Sequence, residues 1–264
     1  MTTTLDATPT LPTTSGYADV NGLHLYFETY GPEDGQPLVL LHGGMLSIDL
    51  SWASLVPALV GRYRLVAVEV QGHGRTADID REITPAHTAS DVLALLDHLG
   101  VGRAHVLGHS MGGAVALELA VSHPERVLSV IGASVTVRPT GLVPELTDPE
   151  LMASSTRMPT QDDFVAMKET YARLSPTPDA FDTFLARLSS SNADLVGWTD
   201  EQLAGITAPV LVVIGDRDFT TVEHAGLMLE LIPGSQLAVL PGTTHMEVTR
   251  RVDLLAPLVR RFLG

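Results

Sequence analysis

The chain contains no cysteine, which excludes disulfides, thiolate metal sites and cysteine nucleophiles. Basic residues are scarce: 16 lysines and arginines stand against 31 aspartates and glutamates, a formal net charge of -15 at pH 7. Nucleic acids and anionic membrane surfaces are polyanions, so neither is expected as a partner, and solubility accounts for the acidity. No apolar run approaches the roughly 18 residues that a membrane span needs. Met1 to Ser15 is rich in threonine and proline and lacks the basic and apolar regions of a secretory signal. Residues 1–15 therefore read as a disordered leader and the protein as cytoplasmic. No H-E-x-x-H helix is present and no glycine-lysine phosphate loop, so neither metal nor cofactor is expected.

What the chain does have is enough apolar sequence for one sizeable core: 45% of 264 residues, which by length is one large domain or a domain with an insertion. Tyr17–Val20 and Leu23–Tyr30 are short strand-like runs split by Asn21-Gly22, a hairpin signal at an antiparallel sheet edge. Apolar runs follow at Pro37–Leu41, Tyr63–Val70, Ala104–Leu107, Val127–Ala133, Pro209–Gly215 and Gln236–Leu240, making eight strands in all. Between them lie helical spacings at Ser51–Val60, Thr84–Leu99, Met111–Ser122, Val222–Leu231 and Val252–Leu263. Such alternation predicts an α/β fold, a mostly parallel sheet covered by helices on both faces. From 136 to 205 the alternation stops. Only proline-punctuated helical segments remain there, Asp148–Arg157, Gln161–Leu174 and Asp179–Ser189. The expected organisation is a core of 16–135 and 206–264 with a helical cap inserted at 136–205, over the sheet edge where the strands end.

One stretch carries chemistry. Gly108-His109-Ser110-Met111-Gly112 lies between a strand and a helix, the layout of a nucleophile elbow. The sharp turn holds the Ser110 hydroxyl clear of its neighbours and points a helix N-terminus at any anion that forms beside it. An unassisted serine hydroxyl is a poor nucleophile near neutral pH and requires a base. His245, in the loop after the last strand, is placed to swing over the sheet edge toward Ser110. His109 is expected to pack and His42 to hold the loop after the third strand by hydrogen bonds, while Glu69 is expected to be a local structural carboxylate and Arg75 to form a salt bridge.

With His42-Gly43-Gly44, Gln71-Gly72-His73-Gly74-Arg75, Gly108–Gly113, Gly215-Asp216-Arg217-Asp218 and Gly242-Thr243-Thr244-His245, the chain resembles the α/β-hydrolase fold superfamily, in its capped esterase and C-C hydrolase branch. The resemblance runs from about Gly16 onward. It implies Ser110 as nucleophile, His245 as base, and Asp218 as the acid that orients the imidazole, with Asp216 as the alternative acid. It also implies an oxyanion hole of backbone N–H groups from Gly44 and Met111.

The substrate is less legible. Met45, Trp52, Met152, Phe164, Met167 and Met246 are the expected apolar wall, and no arginine or lysine stands at a motif position to claim a carboxylate or phosphate. The pocket is expected to accept an ester or lactone with a hydrophobic or aromatic part. The leading expectation is a serine hydrolase cleaving a carboxylic ester. A C-C bond hydrolase, lactonase, thioesterase or perhydrolase with the same triad is a second reading, and a non-catalytic hydrolase-fold ligand-binding protein a third. The sequence leaves the oligomeric state, including a homodimer, open.

Overall fold

The computed structural model describes residues 10–146, 148–192 and 197–264. Most of the expected leader lies outside the described residues. Thr14 and Ser15 do not belong to a leader, because the first strand, β1 (Thr14–Val20), already includes them. It turns through Asn21 and Gly22, both at positive φ (49° and 83°), into β2 (Leu23–Tyr30). Two consecutive left-handed residues match the twist of an antiparallel pair, and the two strands pair antiparallel at the sheet edge.

The remaining strands are β3 (Gln36–Leu41), β4 (Tyr63–Val68), β5 (Ala104–His109), β6 (Val127–Ala133), β7 (Val210–Arg217) and β8 (Gln236–Thr244). They form one eight-stranded sheet in the order β1-β2-β4-β3-β5-β6-β7-β8. From β4 onward every pairing is parallel. The chain winds outward from β3 to β4, then returns to place β5 on the other side of β3. Strand order reverses there, so the loops leaving β3 and β5 diverge and open a crevice at their carboxyl ends.

Helices cover both faces. The expected helix at Ser51–Val60 is two short ones, α1 (Ile48–Trp52) and α2 (Val56–Leu59). After them come α3 (Pro85–His98), N-capped by the Thr84 hydroxyl, and α4 (Met111–Ser122). Alternate residues of each strand divide the interior into two layers. Val39, Leu41, Val66, Val68 and Val106 pack against α3 and α4, whereas Leu38, Leu40, Leu65, Ala67 and Leu107 pack against α1 and α2.

Between β6 and β7 the chain forms α5 (Pro149–Ser154), α6 (Gln161–Leu174), α7 (Phe181–Asn192) and α8 (Asp200–Ala204), and contributes no strand to the sheet among the described residues. The first is shorter than the spacing from Asp148 to Arg157 suggests, since Asp148 is the N-cap and Ser155 is already extended. Thr160 and Asp163 form a capping box that starts α6 where the sequence places it. The fold closes with α9 (Val222–Leu231) and α10 (Val252–Leu263). Among the described residues no helix is long and apolar enough to cross a membrane.

The turn from β5 into α4 is closely packed. A methyl on Gly108 would drive into the carbonyl oxygen of Gly112, and one on Gly112 into that of Leu41. Gly112→Ala is therefore expected to destabilise the fold by about 3 kcal/mol or to abolish folding, because three backbones meet there. Gly102→Ala, where an added methyl meets nothing within 4 Å, is expected to stay within about 0.5 kcal/mol of the parent. Urea denaturation midpoints of the two variants check this, and equal midpoints would refute the packing argument.

Candidate active site

The elbow is strained at one residue. Ser110 has φ 53° and ψ -115°, a region that costs an L-residue on the order of 1–3 kcal/mol and persists only where the surroundings fix it. Its N–H donates to the Ala133 carbonyl at 2.8 Å and its carbonyl accepts from Ala114 at 3.0 Å. The backbone is thus pinned on both sides, and the side chain faces a cavity of about 1210 Å³. Among the described residues no hydrogen bond holds the Ser110 hydroxyl.

His245 and Asp218 meet over the ends of β7 and β8. The His245 Nδ1–H donates to Asp218 Oδ1 at 2.6 Å, which leaves Nε2 as the acceptor, on a ring that lines the same cavity as Ser110. The Phe219 ring stacks on the imidazole, centroids 4.1 Å apart and 15° from parallel. Asp218 is fully buried and held from every side. Gly215 N–H donates to Oδ2 at 3.1 Å and Phe219 N–H to Oδ1 at 2.7 Å. The Ser134 hydroxyl adds a bond to Oδ2 at 2.6 Å. Burial opposes ionisation, but His245 and these donors outweigh it and hold the carboxyl at about 2.

Asp216 occupies a different position. Its Oδ1 accepts from Thr243 N–H at 3.0 Å, tying β7 to β8, and it makes no contact with His245 among the described hydrogen bonds. Sequence alone gives little sign that Ser134 touches Asp218 and Phe219 touches His245. Ser134 stands after β6 in a left-handed backbone (φ 56°), a conformation that sequence does not announce for serine. Phe219 carries a faint signal in standing directly after Asp218.

Gly44 and Met111 both line the cavity. Met111 opens α4, so its N–H lacks a partner within the helix. The β3 loop is shaped by Met45 at φ 60° and by His42, whose Nδ1–H donates to Gly43 O at 2.8 Å while Nε2 accepts from Val70 N–H at 3.3 Å. His109 Nε2–H donates to the His245 carbonyl at 3.0 Å, so the elbow and the loop carrying His245 are joined directly. Below them Glu69 accepts from Arg75, at 2.6 Å from its N–H and 2.8 Å from its guanidinium.

Of the apolar residues expected at the wall, Met45, Phe164, Met167 and Met246 line the cavity. Trp52 and Met152 do not. Trp52 is fully buried with Leu38 and Leu40 in the layer on the other face of the sheet, because α1 turns that face inward. Met152 is 42% exposed, since α5 presents it to solvent rather than to the cavity.

The pattern of the Alpha/beta hydrolase family matches residues 38–257, and the chain belongs to that family. Over 114 residues it is 43% identical to the dihydrolipoyllysine-residue acetyltransferase component of the acetoin cleaving system of Pseudomonas putida, 43% of this chain and 30% of that one. Over 251 residues it is 26% identical to 2-hydroxy-6-oxo-6-(2'-aminophenyl)hexa-2,4-dienoic acid hydrolase of Metapseudomonas resinovorans, 87% of this chain and 84% of that one. Among solved structures, the enol-lactonase of Burkholderia xenovorans superposes with TM-score 0.75 at 26% identity, over 94% of this chain and 99% of that one. The matched segment spans 30% to 45% of the length of several curated relatives.

Burial leaves a mark on the site's titration. It pushes His42 and His109 down to about 3 and His73 to about 4, so all three stay neutral in the fold while the unfolded chain protonates them below about 6.5. Burial pushes Glu69 up to about 7 against the pull of Arg75, so the folded state takes that one proton first. Three protons favour unfolding and one opposes it. Between pH 6.5 and 4.5 stability should therefore fall, by about 2–3 kcal/mol per pH unit at the steepest part. Thermal midpoints measured across that range check it, and a flat profile down to pH 5 would contradict the neutral-histidine assignment.

Proposed function

We propose that this α/β-hydrolase-family chain is a serine hydrolase that cleaves a carboxylic ester or lactone of a hydrophobic or aromatic small molecule. The observation that carries the reading is the 2.6 Å contact of His245 with buried Asp218, on a ring that shares one cavity with Ser110. Ser110 Oγ attacks the carbonyl carbon and its proton passes to His245 Nε2. Asp218 keeps the Nδ1–H oriented and stabilises the imidazolium. The oxyanion lies on the Gly44 and Met111 amides, at the positive end of α4. Collapse of the tetrahedral adduct expels the alcohol, which takes its proton from His245. Water deprotonated by His245 then attacks the acyl-serine and releases the acid.

A lactone is the same bond in a ring. The likeness to an enol-lactonase over nearly the whole of both chains supports including it. The apolar wall of Met45, Phe164, Met167 and Met246 suits a hydrophobic substrate, since methionine adapts to irregular shapes.

A fluorophosphonate probe is expected to label the folded protein and to leave Ser110→Ala unlabelled. Labelling of the alanine variant at another residue, with esterase activity retained, would sink the proposal. Asp218→Asn is expected to lower kcat about a thousandfold or more, because the wrong imidazole tautomer is then favoured. Asp216→Asn, which touches the Thr243 amide rather than the imidazole, should change kcat only severalfold. A larger loss in Asp216→Asn would reverse the assignment of the acid.

A further inference from the structure

The cavity does not end at the elbow. Met111, Ala114 and Glu118 line it at a spacing that puts them on one face of α4, so it runs from Ser110 along the helix for about 12 Å. At that far end Glu118 meets Trp198, and Gln202, four residues beyond Trp198, also lines the cavity. We infer that Glu118 reads the remote end of the substrate, and that the cavity selects molecules which are neutral or positively charged there and rejects those ending in a carboxylate. This deepens the proposed reaction and rests on Ser110 as nucleophile.

Among the described lining residues there is no arginine or lysine; apart from histidines, the ionisable ones are Glu82 and Glu118. The nearby guanidinium groups are committed elsewhere, Arg81 to Asp91 and Arg138 to Asp200. Glu118 is half-buried and rigidly held: Trp198 Nε1–H donates to its Oε2 at 2.6 Å and the Ser122 hydroxyl to its Oε1 at 2.6 Å. A carboxyl group accepts about four hydrogen bonds, so acceptor capacity remains for a substrate donor. The indole N–H, the strongest donor on that wall, is already spent on Glu118. The exposed Gln202 amide supplies donors but no charge. A substrate carboxylate brought beside Glu118 would meet a like charge with no counter-cation, partly out of water, where such repulsion is strongest. The relative from Metapseudomonas resinovorans is named for a dienoic acid; a wall of this sign does not suit an acid of that kind.

The test uses three alkyl fluorophosphonates of one chain length, long enough to reach Glu118, that end in methyl, trimethylammonium or carboxylate. In each, Ser110 Oγ forms the bond to phosphorus, fluoride leaves with the P–F electron pair, and the serine proton passes to His245. Second-order labelling rates at low ionic strength are expected to fall from trimethylammonium through methyl to carboxylate, with at least about tenfold between the charged pair. In Glu118→Gln, which keeps an acceptor for Trp198, the gap between the charged pair is expected to shrink to threefold or less. If no probe labels Ser110, the nucleophile assignment itself fails. If the methyl probe labels Ser110 but the carboxylate probe labels as fast as the ammonium probe, this inference fails alone. It also fails if the gap persists in Glu118→Gln, because the net charge of the whole protein would then be its cause.

Discussion

The structure depends on a close approach of three backbones, where β5 turns into α4 against the end of β3. Gly108 and Gly112 permit it, since a methyl on either would enter a neighbouring carbonyl oxygen. The approach has two results. It holds Ser110 at φ 53°, with the hydroxyl over the crevice and the helix N-terminus directly below. It also brings the β3 loop beside the elbow, where a methyl on Gly43 would meet Ser110 Cβ at 3.3 Å. The strain at Ser110 is sustained by the surrounding pairing, Ala133 on one side and Ala114 on the other.

Around this turn the protein places histidines where it keeps them neutral. His42 fixes the β3 loop, His73 bonds the Gln71 carbonyl at 2.9 Å, and His109 ties the elbow to the His245 loop. Each exchanges solvation for a directed hydrogen bond, and burial depresses each one's affinity for a proton. His245 differs in having a buried carboxylate on one nitrogen and the cavity on the other. The same low-dielectric surroundings that silence three histidines strengthen the bond between the fourth and Asp218. The two nearby aspartates differ in their contacts. Asp218 is gripped by His245, Ser134 and two backbone amides, while Asp216 serves the β7–β8 backbone.

The segment between β6 and β7 supplies much of the apolar cavity wall. Its helices contribute Phe164, Met167, Phe181 and Leu185 to the cavity. It is attached to the sheet unit by ion pairs such as Arg173 with Asp49 at 3.0 Å and Arg250 with Asp163 at 2.7 Å. Pairs this exposed contribute little stability each, so apolar packing of Met167, Tyr171 and Phe184 carries the attachment.

The sequence by itself determined the α/β alternation, the hairpin at Asn21-Gly22, the boundaries of α4, α6, α9 and α10, and the loops in which Ser110, Asp218 and His245 lie. Those features are local: period, caps, turn residues and strict glycines act over a few positions, and each leaves its mark in the order of residues. Tertiary structure alone decided which carboxylate meets His245, that Ser134 and Phe219 support the pair, that Trp52 faces the opposite layer and Met152 faces solvent, and that Glu118 stands at the far end of the cavity. These depend on which face of a helix or strand turns toward which neighbour across the sheet. Helical spacing states that a residue is on an apolar face; only the packed neighbours state whether that face closes a core, borders a cavity or meets water.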